Sequence, residues 1–173
     1  LVDTRAEYVE RELRSALVAL QPDGVILLPP HNDNALICDI LEQENIAFAR
    51  VGSDDPGRGI CLTMDDEGSS EMATQYLLDL GHRHIGFITG GEHYSLSARR
   101  TEGWLRTMAA AGIDPIPYLQ AGNFGYESGL TAARNLLDGP TPITAILASS
   151  GQMALACMHV AEERGLKVPE QLS

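Results

Sequence analysis

Pro142-Ile143-Thr144-Ala145-Ile146-Leu147-Ala148-Ser149-Ser150-Gly151-Gln152-Met153-Ala154 is a Pro-bounded apolar run that ends in a small polar loop. The run reads as a buried strand and the loop as the opening of a helix. In open α/β sheets, ligands bind outside the carboxyl ends of strands, at loops of this kind. The segment therefore marks a place where a ligand would sit. A helix is predicted before it over 126–137, with Tyr126, Gly129, Leu130, Ala133, Leu136 and Leu137 on one side. Another follows over 153–164, with Met153, Ala154, Cys157, Val160 and Ala161 on its apolar face.

The same alternation runs upstream. Val9, Leu13, Ala16, Leu17 and Leu20 form a helical face. Val25 to Leu28 is a continuous apolar run, which fits a strand buried on both faces. Asn32 to Asn34 are N-cap candidates for a helix carrying Leu36, Ile37, Ile40 and Leu41. Ile46 to Val51 and Ile60 to Thr63 read as strands around a loop at Ser53 to Gly59. Asp65-Asp66-Glu67 opens a helix whose predicted inner face is Met72, Ala73, Tyr76, Leu77 and Leu80. These carboxylates suit a helix macrodipole or a metal ion. Ile85 to Thr89 is a strand, Ala98 to Ala111 a helix, and Ile116 to Leu119 a further strand. Short connections between alternating helices and strands signal βαβ units and mainly parallel sheets. The alternation restarts after the mid-chain loop and acidic segment, which points to two sheets.

The chain has 173 residues and a formal net charge of −12, with Lys167 its one lysine. Nucleic-acid binding modules carry a basic patch, so these residues are not expected to touch DNA themselves. Cys38, Cys61 and Cys157 are far apart and sit in apolar stretches, as buried free thiols do, which favours a reducing compartment. No apolar run approaches the roughly 20 residues of a membrane span.

Enzyme signatures are missing: no Gly-x-Ser-x-Gly elbow, no His-Glu-x-x-His and no phosphate-binding Gly-x-x-x-x-Gly-Lys loop occurs. Gly86 to Gly91 has the wrong spacing for a dinucleotide fingerprint. His82 and His84 flank Arg83 at a strand start and suit surface or cap roles better than metal ligation. His93 and Tyr94 follow Gly90-Gly91 and either reach a ligand or close the loop. No cofactor is implied. What does converge is a set of polar strand-end loops. Ser95 and Ser97 precede a helix whose first turn carries Arg99 and Arg100. Asn123-Phe124 precedes helix 126–137, and Ser149-Ser150 precedes helix 153–164. Hydroxyls, an amide, a guanidinium fork and an aromatic face are the equipment of a sugar site. The same residues serve equally as ordinary helix caps.

Several stretches, in order, resemble the effector-binding core of the LacI/GalR family of bacterial transcription repressors. They are Pro22-Asp23-Gly24-Val25-Ile26-Leu27-Leu28, Met64-Asp65-Asp66-Glu67-Gly68, Tyr76 to Gly90 with its Leu-Gly-His-Arg, Arg100-Thr101-Glu102-Gly103-Trp104, Phe124 to Gly129, Pro142 to Ala154, and Gly165 to Ser173. The resemblance implies two similar parallel-sheet Rossmann-like subdomains of the periplasmic-binding-protein type I architecture. Their extents would be 1–64 and 65–173, both incomplete against the family pattern, with a small-molecule effector in the cleft between them. It further implies a homodimer, a cytoplasmic location, and operator DNA bound through a helix-turn-helix headpiece absent from these residues. By the family pattern, Arg100 holds effector hydroxyls or a carboxylate and Phe124 lines the pocket. Ser150 and Gly151 stand where the pattern reads Asn-Asp, which removes hydrogen-bonding groups and suits a ligand with fewer hydroxyls or one bridged by water. Ser95 and Ser97 complete the candidate set.

The expected function is ligand sensing, probed by Arg100→Ala, which on this reading removes the response and leaves the fold intact. Rival readings are a periplasmic sugar-binding protein of the same fold and a small α/β enzyme. The single lysine and unpaired cysteines weigh against the first, and the missing catalytic motifs against the second.

Overall fold

A computed structural model describes residues 4–29, 31–53, 55–92 and 94–173. His93 therefore lies outside the described residues. The chain divides into two compact units, 1–64 and 65–173.

In the first unit, α1 (Thr4–Leu20), β1 (Gly24–Leu27), α2 (Ala35–Gln43), β2 (Ala47–Val51) and β3 (Ile60–Leu62) form a parallel sheet in the order β1-β2-β3. Asn34 is the N-cap of α2, its Oδ1 accepting from the Ile37 amide at 3.2 Å. The core joins Leu17, Leu27, Phe48 and the inner face of α2, namely Ile37, Cys38, Ile40 and Leu41. The expectation of a two-sided buried β1 is corrected here. Leu27 is buried, but Ile26 is 71% exposed, as are Ile60 and Leu62 on the same sheet face for the most part. A continuous apolar run does not distinguish one covered face from two.

The second unit holds α3 (Asp66–Asp79), β4 (Ile85–Ile88), α4 (Ser95–Ala110), β5 (Leu119–Gln120), α5 (Tyr126–Leu137), β6 (Ala145–Ala148) and α6 (Gly151–Glu163). Its sheet is parallel with the order β5-β4-β6, so β4 is central and buried along its whole length. Side chains alternate across a strand. Ile85 and Phe87 join a core with Trp104 and Met108, whereas Ile88 joins another with Ala133, Leu136, Met153 and Val160. The Phe87 and Trp104 rings stack at 5.2 Å. The segment expected as a strand at 116–119 is a 3-10 turn, Ile116–Tyr118, feeding the short β5.

The inner face of α3 also differs from its apolar periodicity. Asp66, Ser70, Thr74 and Leu78 are buried, while Met72, Tyr76 and Leu80 are exposed. The cause is a close approach of α4. A Cβ on Gly103 would lie 2.3 Å from the Glu67 carbonyl and 3.2 Å from Ser70 Cβ, so small side chains of α3 must face this crossing. Gly103→Ala is expected to force the helices apart and cost about 1–3 kcal/mol, as overpacking does. Urea denaturation checks this; an unchanged midpoint would show that α3 and α4 are free to separate.

Cys38 and Cys157 are buried and Cys61 is partly exposed. Burial pushes the Cys157 thiol up to about 11. At pH 8, about one such thiol in a thousand is ionised. In the native chain iodoacetamide should label Cys61 first, and Cys38 and Cys157 only on unfolding. Peptide mass spectrometry reads the order, and prompt labelling of Cys157 would show that α6 does not bury it.

Candidate functional site

The carboxyl ends of β4, β5 and β6 in the second unit carry residues 89–92 with Tyr94, 121–125 and 149–150, with the start of α3 alongside. Arg100 is the junction of this rim. Its Nε and Nη2 donate to Asp66 Oδ1 at 2.8 and 2.7 Å, and its Nη1 donates to the Ser149 carbonyl at 2.8 Å. The Asp66 side chain is only 8% exposed and that of Arg100 29% exposed, so the pair is shielded but keeps a solvent-facing edge. Asp65 N-caps α3 through the Gly68 amide at 2.8 Å, and Glu67 pairs with Arg106 at 2.6 Å. The acidic run at 65–67 is thus divided among a cap and two arginines. Among the described residues no group of His, Cys, Asp or Glu could hold a metal ion.

Ser149 and Ser150 have separate tasks. Ser149 Oγ donates to the Ile88 carbonyl at 2.7 Å, tying β6 to β4 at the rim. Ser150 is the N-cap of α6, accepting from the Met153 amide at 3.2 Å, and donates to the Phe124 carbonyl at 2.9 Å. That second bond holds a strained residue. Phe124 has φ 69°, a left-handed conformation that costs a side-chain-bearing residue about 1–2 kcal/mol. Such strain persists only where neighbours over-determine it, and it clusters at ligand sites. Here Asn123 Oδ1 accepts from the Gly125 amide at 2.9 Å, and Ser128 Oγ accepts from the Asn123 amide at 3.1 Å. The Phe124 ring lies on Gly90, where a Cβ would come within 2.0 Å of it, and meets Tyr94 edge-on at 5.1 Å.

The candidate set is therefore partly gathered. Arg100, Phe124 and Ser150 sit on this one rim. Ser95 and Ser97 do not precede α4 as the sequence suggested: the helix starts at Ser95, so both lie in its first turn, Arg99 and Arg100 fall in its second, and Ser97 is buried. Tyr94 closes the loop against Phe124. His82 and His84 stand at the opposite end of β4, bonded to Thr144 Oγ1 at 2.9 Å and to the Tyr118 hydroxyl at 2.8 Å. Sequence reasoning missed Asp66 and Gly90. The first was hidden within a plausible helix-start acidic run. The second was read only as backbone freedom. Behind Arg100 lies a cavity of about 160 Å³ walled by Ser70, Ala73, Phe87, Leu147 and Ser149, and among the described residues Ser70 Oγ has no hydrogen-bond partner.

The second unit is thus a parallel α/β unit with an ordered polar and aromatic rim at its strand ends. A family model described as a periplasmic binding protein-like domain matches residues 74–173. The chain belongs to this family and carries part of an effector-binding core of the LacI/GalR type. It is 30% identical over 177 residues to the HTH-type transcriptional regulator CelR of Thermobifida fusca, spanning 100% of this chain and 52% of that protein. It is 35% identical over 163 residues to the probable HTH-type transcriptional repressor ExuR of Bacillus subtilis, spanning 91% of this chain and 48% of the relative. A solved CelR–cellobiose complex superposes with a TM-score of 0.77 at 29% identity, covering 95% of this chain and 51% of that one. The chain spans about half the length of these curated relatives. Among the described residues no helix is long and apolar enough to cross a membrane.

Gly90→Ala is expected to push the Phe124 ring off its support. Ligand affinity should fall about tenfold, the order of one aromatic contact, with helix content by circular dichroism unchanged. Calorimetric titration checks this, and full affinity in the variant would remove the ring from the site.

Proposed function

We propose that this chain is the ligand-sensing core of a LacI-type DNA-binding transcriptional regulator, and that its effector is a small molecule of the sugar class. The observation that carries the reading is the Arg100–Phe124–Ser150 rim at the strand ends of a fold whose relatives are transcription regulators. A guanidinium fork, a fixed aromatic ring and nearby hydroxyls match a polyol with polar edges and a C–H face. A related regulator solved with cellobiose supports the sugar class.

Sensing needs no reaction. The ligand must bind one of two arrangements of the protein better than the other, and that difference in affinity is what shifts the population. On this reading a headpiece outside these residues contacts operator DNA in the bacterial cytoplasm, and the regulator works as a homodimer. The relatives are regulators and not enzymes, which supports a site that returns its ligand unchanged.

The test is a thermal-shift panel of monosaccharides, disaccharides, sugar acids and sugar phosphates on the full-length protein. A ligand at about 100 times its Kd stabilises the native state by about 2.7 kcal/mol, so one class should raise Tm clearly. Silence across the panel, or chemical conversion of the binder, would overturn the proposal. Arg100→Ala should lose the shift. It should also lower the stability of the free protein by about 1–3 kcal/mol, because it strands the shielded Asp66 carboxylate. The expectation that this substitution leaves the fold untouched is corrected by that ion pair. Arg100→Lys keeps the charge but not the fork, and should recover stability more than binding.

A further inference from the structure

Resting on the reading just given, we infer that the effector is an uncharged, hydroxyl-rich molecule, and not a sugar acid or sugar phosphate, because the Arg100 guanidinium is already neutralised by Asp66 within the unit. A guanidinium can donate to hydroxyls or to an anion, and a carboxylate already paired with it repels a second anion at the same place. Here two of its nitrogens converge on one oxygen of a carboxylate that is nearly inaccessible to solvent, and the third donates to a backbone carbonyl. The remaining N–H hydrogens on Nη1 and Nη2 are good donors to a hydroxyl oxygen. A ligand carboxylate at the same place would bring a second negative charge beside Asp66, with shielding that strengthens their repulsion.

The surrounding charges point the same way. Along the rim and the helix starts that frame it, Glu67 is paired with Arg106, and the carboxylates of Asp65, Asp66, Glu92 and Glu127 outnumber the guanidinium groups of Arg99 and Arg100. Arg99 is itself engaged. Lys167, the one lysine, follows the far end of α6 from Ser150. Among the described residues no N-cap side chain bonds the first amides of α4 or α5. Their amide hydrogens add neutral donors suited to hydroxyl oxygens as well as to anions, so the Asp66–Arg100 pair decides between the two.

Isothermal titration of the full-length protein with matched pairs tests this: glucose and glucuronate, galactose and galacturonate, cellobiose and cellobionate, with glucose 6-phosphate added. The neutral member of any pair that binds should be at least about tenfold tighter, equivalent to about 1.4 kcal/mol, and its affinity should barely change between low and high salt. Asp66→Asn, which keeps the shape and releases the cation, should narrow or reverse the gap. If it does not fold, the wild-type comparison still decides. An acid or phosphate bound by the wild type as tightly as its neutral partner overturns the inference and leaves sugar sensing standing. No binding of any member by the wild type overturns sugar sensing itself, and this inference with it.

Discussion

Three elements meet at the Arg100 guanidinium. Asp66 begins α3, Arg100 belongs to α4, and the Ser149 carbonyl ends β6. Each bond is charge-assisted or made by a charged donor, and such bonds are roughly twice as strong as neutral ones. The junction therefore fixes the start of one helix and the end of a strand relative to a side chain that also faces solvent. Ser149 continues the chain of constraint by bonding the Ile88 carbonyl, and Ser150 continues it again by bonding that of Phe124. A rim built this way has few soft degrees of freedom left. Ligand binding on it would need little ordering, which is how preorganised sites gain affinity.

The same junction explains why α3 tolerates a polar inner face. Asp66 is compensated by Arg100, Thr74 Oγ1 donates back to the Ser70 carbonyl at 2.7 Å, and Gly103 lets the α4 backbone come close enough to leave little room for larger side chains. An apolar residue at 66 would leave Arg100 without its counter-charge at a half-buried position, and a large one at 70 would meet Gly103. The exposed Met72, Tyr76 and Leu80 are the complement of that choice: the helix is turned by its crossing with α4, and its apolar stripe is carried outward.

Much of this was legible in the sequence where one local signal dominates. The 126–137 helix matches α5 end to end, and the Pro-bounded run at 142–154 does become a strand, an N-cap serine and a helix. Asn34 as a cap follows from its position ahead of the α2 apolar face. What was hidden depends on contacts far apart in sequence. The rotation of α3 is set by a glycine more than a turn into α4. The one-sided exposure of β1 depends on which face α1 and α2 cover, and the apolar run Val25 to Leu28 is silent on that. In the rim, Arg100, Phe124 and Ser150 were visible as residue types in strand-end loops, while Asp66 looked like one of three interchangeable helix-start carboxylates. Only the fold shows that Asp65 caps, Glu67 pairs with Arg106, and Asp66 meets Arg100.

Arg50 in the first unit gives the contrast that defines Arg100. It too stands near a strand end, on β2, and it too meets carboxylates, Asp33 at 3.3 Å and Asp55 at 3.8 Å. Its side chain is 2% exposed, however, and its donors reach the backbone carbonyls of Asp55 and Arg58 as well as Asp33. Such an arginine fastens the loop after β2 to the loop after β1 from a position that solvent does not reach. Removing it would unfasten the two loops, while the carboxylates of Asp33 and Asp55, 45% and 61% exposed, would be solvated by water. Arg100 makes the same kinds of bond but keeps an outward edge. Residue type and strand-end position alone would have assigned both arginines the same role. The difference lies in exposure: the first unit's arginine is a buried staple, while the second unit's keeps a solvent-facing edge.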